Sequence, residues 1–423
     1  MRQRWQKIDQ GKKYLVAATL VGIVALLVSF KGYGYEKTWQ LWGVETLMPP
    51  FADFRLLPGT AETVQSGIDP RVSNPGDPYG RVYNYPRLWN LFFYTTFTQE
   101  DVIFLGVLML IFYYLSVIAF PEKINMPALG LMLLLIFSPA AMLLYERGNV
   151  DLILFVLTTL VLLSYEMSTF FAGGILLIGA MLKVFPLFGL VIFLQKGWEK
   201  FWRTTLWVVL GFLLYFITSF SSMKAAWQTT MRGKRLSYGT EVFFAHYHKL
   251  FSAYLNNRDF INDPNFILGS LPKLLVILLL LLTLLVSMRD NLPLKTSSPK
   301  NLIAFQMGAF IYIGTFLLGN NWDYRLVFLL FTMPQLGEWL TITHGKERRA
   351  VITAIILILL STWHFLIAAG LTHLFSTSEV GFIIDEIANW LLFGVLLYLG
   401  YASFPAWFKD FFREMKILQK VMK

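Results

Sequence analysis

The segment LLYERGNVDLILFVL, residues 143–157, sets Glu146, Arg147, Asn149 and Asp151 between two apolar runs. Two other places repeat the pattern: Lys183 stands in MLKVFPLF, and Asp323, Tyr324 and Arg325 stand in GNNWDYRLVFLL. Part of this is helix punctuation. Gly148 suits the end of one helix, Asn149 caps the next, and Asp151 in its first turn faces the positive end of the helix dipole. Lys183 taken alone fits a lysine reaching towards lipid headgroups. Arg147 is harder to explain in that way, because a turn at a lipid boundary requires no guanidinium, and ionisable residues in apolar segments mark function. Arg147, Lys183 and Arg325 on three separate turns would together bind a phosphate, arginine through paired hydrogen bonds and lysine as a point charge. Glu146, Asn149, Asp151, Asp323 and Tyr324 stand where they would orient those cations.

Membrane helices must position these residues. The chain has 423 residues, is 56% hydrophobic and only 15% charged, and carries 13 Trp and 38 Phe. A soluble domain cannot cover that much apolar surface with so few charges. Apolar stretches long enough to span a hydrocarbon core lie near 14–30, 102–120, 126–145, 149–165, 204–222, 271–288, 301–319, 324–341, 350–370 and 383–402. Lipid requires every backbone group to be satisfied internally, and the short alternating segments of barrel strands are absent, so helices are selected. The run at 168–195 is broken by Lys183 and Pro186. Two short helices meeting there return the chain to its starting side. Lys123, Lys196, Lys200, Arg203, Arg289, Lys295, Lys300, Lys346, Arg348 and Arg349 then share one side, as the positive-inside rule requires. The chain is therefore expected to form an all-α polytopic bundle of about 12 helical segments, some short or re-entrant. Both termini are expected to be cytoplasmic, in a multi-pass protein of a bacterial cytoplasmic membrane, with the polar turns on the other face.

The net charge of +10 sits in loops beside the spans, which assigns it to topology and not to nucleic acid. The absence of Cys excludes disulfides, iron–sulfur clusters and thiolate metal sites. The first apolar segment follows Arg2, Arg4, Lys7, Lys12 and Lys13 with no small-residue cleavage site, and reads as a retained anchor. Residues 1–423 read as one membrane domain with two long outer loops, 31–100 and 223–270, both too long to be mere connectors. RLWNLFFYTTF at 87–97 has the amphipathic, aromatic character of a short interfacial helix. The second loop contains His246 and His248; residues two apart do not share a helix face, so this pair is not expected to ligate a metal. Their stretch reads as an interfacial aromatic helix, with contact to an acceptor sugar as the sharper alternative. MRGKRLSYG at 231–239 reads as a solvated basic loop, and His364 and His373 carry no role. Asp53, in PPFADFRLLPG, is by itself a surface carboxylate in a turn-rich loop, and the Pro-, Gly- and Asp-dense stretch after it says only that turns are structured.

Taken in order, ADF, GDPY, YNYPRLWNL, ERGNVDLILF, LKVFPL and WDYRLVFLL resemble glycosyltransferase family 87, between residues 50 and 335. That resemblance implies a GT-C fold and a polyprenyl-phosphate sugar as donor; the family has mannosyltransferase members, and the sugar here is expected to be mannose or another hexose or pentose. It also implies an acidic catalytic base in the first outer loop, where Asp53 is the matching position. Asp53 would take the proton of an acceptor hydroxyl. Arg147, Lys183 and Arg325 would stabilise the departing phosphate. A single carboxylate acting by direct displacement inverts the anomeric centre. Tyr85, His246 and His248 are the acceptor-side candidates. The partners expected are a polyprenyl-phosphate sugar, a glycolipid or glycan acceptor and membrane lipids. No cofactor is expected, and no metal, since no dense acidic cluster suits a divalent cation at the outer face. Two other activities stay open. A flippase of a lipid-linked glycan would show broken helices in two related halves, which the sequence lacks. A polymerase or ligase using polyprenyl pyrophosphate would also suit arginine-bearing outer turns.

Overall fold

Ser138 and Pro139 turn one apolar run into two helices. Proline lacks the N–H that would continue a helix but suits the first turn of a new one, and Ser138 Oγ accepts from Ala141 N at 3.3 Å. In a computed structural model of the chain, which describes residues 9–233, 235–247, 269–290 and 292–414, the run expected at 126–145 is accordingly a bent pair. Met126–Ile136 and Pro139–Arg147 meet at 48°. Every residue from Pro139 to Glu146 is buried, so the second helix carries Arg147 into the interior.

Among the described residues, six helices are long and apolar enough to cross a membrane: Gln10–Tyr33, Gln99–Ala119, Trp198–Thr218, Leu271–Asp290, Gly345–Phe375 and Glu379–Ala402. The protein is an all-α polytopic membrane protein, and shorter apolar helices complete it at Asp151–Ser164, Thr169–Leu182 and Phe185–Lys196. The run at 168–195 divides at Lys183, whose extended backbone (φ −151°, ψ 140°) ends Thr169–Leu182. Pro186 then opens the 3₁₀ helix Phe185–Lys196. A 3₁₀ helix rises about 2.0 Å per residue, so these residues reach further along the bundle than an α-helix of the same length. The run expected at 324–341 is a second such case, 3₁₀ over Asp323–Thr332 and α-helical over Met333–Ile342.

Both 3₁₀ helices pack on the largely buried helix Pro299–Leu317. Gly308 permits that approach, since a Cβ there would lie 2.7 Å from Phe328 O. Behind them Phe155 stacks on Phe331 with ring centroids 4.4 Å apart, inside a continuous apolar core.

The first long loop holds the short helices Tyr35–Gln40 and Leu56–Gln65 and the 3₁₀ helix Arg87–Tyr94. The expected interfacial helix at 87–97 is that 3₁₀ helix, docked by Trp89 Nε1 donating to Leu182 O at 3.1 Å. Gly59 and Gly76 touch backbone to backbone: a Cβ on Gly59 would stand 2.4 Å from Gly76 O. This contact fixes the GDPYGR turn against Leu56–Gln65. In the second long loop, Ser237–Tyr238 pairs antiparallel with Asn321–Trp322, Ser237 opposite Trp322. That two-residue ladder clamps the stretch leading into Arg325. His248 lies outside the described residues.

Candidate active site

Gly148 sets the geometry of the opening motif. It ends Pro139–Arg147 in the left-handed conformation (φ 55°, ψ 36°), which a residue with a Cβ adopts only at a cost. A Cβ there would also lie 2.8 Å from Phe51 Cβ. Phe51 is itself at φ 59°, a strained backbone for an aromatic residue and one that clusters at functional loops. The loop it bends docks directly on the motif, Asp53 N donating to Arg147 O at 2.9 Å.

Asn149 connects the parts. Its Oδ1 accepts from Asp151 N at 3.0 Å, at the first residue of a helix whose cap position is Val150 and not the expected Asn149, and from Lys183 Nζ at 3.1 Å. With the oxygen so committed, Nδ2 faces the first loop and donates to Asp53 Oδ2 at 2.6 Å. The other Asp53 oxygen lies 3.4 Å from Arg81 Nη1, and the side chain remains 22% exposed. Asp53 therefore has one neutral partner, one loosely placed cation and an open side.

The cations are held from behind. Lys183 Nζ meets Asp151 Oδ1 at 2.5 Å, and Arg325 Nε meets Asp151 Oδ2 at 3.2 Å. Arg325 also donates to Asn321 Oδ1, and Arg147 pairs with Glu146. Asp77 grips Arg81 through Nη2 at 2.8 Å and Nε at 3.1 Å. The carboxylates of Asp77, Glu146 and Asp151 are fully buried, while the cations they hold keep 13–19% of their side chains exposed. Burial by itself would lower the Arg81 pKa; the hydrogen bond and charge of Asp77, with the charge of Asp53, outweigh it and raise it. Burial, then the charges of Asp53 and Asp151, push the Tyr85 hydroxyl up.

These groups line one cavity of about 940 Å³. Asp53, Arg81, Asn84, Tyr85, Arg147, Asn149, Lys183, Lys224, Tyr324 and Arg325 form its polar wall. Phe216, Phe220, Met223, Trp227, Met231 and Leu318 form an apolar wall beside them. Phe220 and Trp227 are largely exposed on their outer sides.

The structure thus brings together Asp53, Arg147, Asn149, Lys183, Tyr324, Arg325 and Tyr85, with Glu146 and Asp151 behind the wall. It does not bring in Asp323, whose carboxylate turns away from the cavity and is buried beside His364. Nor does it bring in His246, which hydrogen-bonds Glu379 Oε2 at 3.0 Å and packs on Phe382 at 4.2 Å. Sequence inspection missed Arg81, Asp77, Asn84, Asn321 and Lys224. For Arg81 a signal existed, an Asp four residues earlier in a Gly- and Pro-rich turn. Among the described residues no group of three or more His, Asp or Glu side chains is arranged to hold a metal ion.

The sequence profile of glycosyltransferase family 87 matches residues 93–318. That span includes Arg147, Asn149, Asp151 and Lys183; Asp53, Arg81 and Arg325 lie outside it. Among solved structures, that of ArnT from Cupriavidus metallidurans in the apo state is similar over 93% of this chain and 77% of its own, at 13% identity and a TM-score of 0.34. Among curated proteins none matches.

Proposed function

The chain belongs to glycosyltransferase family 87, a GT-C family of membrane glycosyltransferases, and from that premise we propose that it moves a single sugar from a polyprenyl-phosphate donor to a hydroxyl of a glycolipid or glycan acceptor. The reaction is placed at the non-cytoplasmic face, without a metal, and inverts the anomeric centre. Asp53 takes the proton of the acceptor hydroxyl as its oxygen forms the new bond to C1. The bond from C1 to the phosphate oxygen breaks, and the electron pair leaves with the polyprenyl phosphate. Arg147, Lys183 and Arg325 stabilise that charge, arginine by paired donors and lysine as a point charge. Asn149 and Asp151 orient them. The apolar wall around Phe216, Phe220 and Trp227 receives the prenyl chain, and Tyr85 faces the acceptor.

One observation carries this reading. An aspartate with an open side and cations from five separate chain segments line the same cavity, next to an apolar wall. The test is transfer by the purified protein from a panel of polyprenyl-phosphate sugars, with a membrane lipid extract as acceptor and mass-shifted products as readout. A product from a monophosphate donor, lost in Asp53→Asn, is expected. Product only from oligosaccharide pyrophosphates would replace single-sugar transfer by block transfer.

A further inference from the structure

A second group of ionisable side chains lies behind the cavity and takes no part in the chemistry above. Asp323, His364, Asp385 and Glu386 come from three elements: the 3₁₀ helix Asp323–Thr332, and helices Gly345–Phe375 and Glu379–Ala402. All four are buried. His364 Nε2 stands 3.4 Å from Asp323 Oδ2, and Nδ1 stands 3.8 Å from Asp385 Oδ1. Asn389 Nδ2 donates to Asp385 Oδ1 at 2.9 Å. Neither the Asp323 oxygens nor His364 Nε2 has a hydrogen-bond partner among the described residues; the two groups meet as a 3.4 Å polar contact. Asp385 and Glu386 both act on Asp323 electrostatically, and the backbone of Arg235 lies beside the His364 ring.

The protonation of this pair follows from its contacts. His364 Nδ1 is 2.8 Å from Ser361 O. A carbonyl oxygen only accepts, so Nδ1 carries a hydrogen. Nε2 then faces a carboxylate oxygen. Two lone pairs at that separation, away from water, would repel, so a proton lies between them, on the ring or on Asp323. Three carboxylates this close cannot all be ionised without compensation.

Asp323 is two residues from Arg325. The intervening Tyr324 lines the cavity, and Arg325 is tied to Asn321 on the other side. Asn321 Nδ2 donates to Thr315 O at 2.5 Å, which fixes that end to Pro299–Leu317. His364 is the corresponding anchor for Asp323 and fixes it to Gly345–Phe375. We infer that His364 is a positioning residue for the anion site: through its polar contact with Asp323 it holds the Asn321–Arg325 stretch in place, and so sets where the Arg325 guanidinium meets the donor phosphate. This rests on Arg325 being a phosphate ligand, as proposed above.

The test measures binding of free polyprenyl phosphate to the purified full-length protein, together with thermal unfolding. Arg325→Lys is the control and should weaken binding about tenfold, by loss of the bidentate fork. His364→Leu leaves the buried Asp323 carboxyl without its polar neighbour and should weaken binding by a similar factor. Asp323→Asn alone keeps a polar group beside the ring and should bind within about threefold of the parent. Asp323→Asn combined with His364→Leu replaces the stranded carboxyl by a neutral amide and should recover most of the loss. A double variant no better than His364→Leu, or unchanged binding in His364→Leu, overturns the inference. If His364→Leu does not yield folded protein, His364→Gln supplies the comparison. It returns an N–H donor to Asp323, so normal binding supports the inference and weakened binding overturns it. Unchanged binding in Arg325→Lys would instead remove the donor-phosphate assignment itself.

Discussion

Asp53→Asn separates a base from a structural carboxylate. A positioned general base contributes roughly 10²–10⁴ in rate, which is about 3–5 kcal/mol of transition-state stabilisation. The local cost of the change is small by comparison. Asparagine keeps an oxygen for Asn149 Nδ2, now at 2.6 Å from Asp53 Oδ2, and turns its amide towards Arg81. Donor there meets donor, but across 3.4 Å. Arg81 keeps its bonds to Asp77 and to Ala52 O. A structural penalty of about 1 kcal/mol is expected, the size of one lost hydrogen bond. Donor binding should hold or tighten, because the change removes a negative charge from a cavity lined by five cations, Arg81, Arg147, Lys183, Lys224 and Arg325. The assay pairs steady-state kcat with the Kd for polyprenyl phosphate. A kcat fall of two orders of magnitude or more at unchanged Kd is expected. A kcat within tenfold of the parent, or a parallel fall in kcat and affinity, would refute the assignment of Asp53 as base.

Arg147→Lys and Arg325→Lys should each weaken donor binding by about tenfold, read as a rise in Kd, because a point charge replaces a planar fork. Gly148→Ala should lower the unfolding temperature, since the left-handed backbone alone costs about 1–2 kcal/mol, and activity should fall further as the Arg147–Asp53 backbone contact shifts. His246→Ala should leave donor binding unchanged, since His246 stands outside the cavity and contacts Glu379 and Phe382; a loss of donor affinity would show that the cavity extends to it.

The membrane class, the spans and the division at Lys183 were legible because lipid imposes them locally: apolar length, a Pro, a basic flank. The three cationic turns were legible for the same reason, as charge is conspicuous in apolar sequence. The bend at Ser138–Pro139 was not, because it leaves the apolar pattern unchanged and its local signal, the Ser-Pro pair, sits inside one hydrophobic run; nor was the 3₁₀ form of 185–196 and 323–332, which answers to packing on Pro299–Leu317. Arg81 escaped notice because its meaning depends on the turn that folds it back on Asp53, which the Gly59–Gly76 contact sets from 17 residues apart in the chain. Asp323 was assigned to the wrong side. Its neighbours in sequence are the site residues Tyr324 and Arg325, yet the 3₁₀ turn sends its side chain the opposite way, towards His364, a residue with no local signal at all.

The arrangement of the ion pairs explains how an aspartate can stay available among so many cations. A guanidinium free to move in a low-dielectric cavity would close on the nearest carboxylate, and Asp53 would then be held in a salt bridge with no open side for an acceptor hydroxyl. Here Glu146, Asp151 and Asp77, each with no exposure, take the backs of Arg147, of Lys183 and Arg325, and of Arg81. A buried carboxylate without its cation is strongly unfavourable, so these pairs resist rearrangement. The close partner left to Asp53 is the neutral amide of Asn149, oriented by Lys183 on its far side. Donors facing the cavity are thus fixed before any ligand arrives, which is the condition for electrostatic stabilisation without reorganisation. The same logic makes Asp77→Asn informative. Loss of that carboxylate frees Arg81 to swing onto Asp53, so kcat should fall about tenfold or more while the affinity for polyprenyl phosphate holds. Unchanged kcat in that variant would mean that Asp53 needs no such protection.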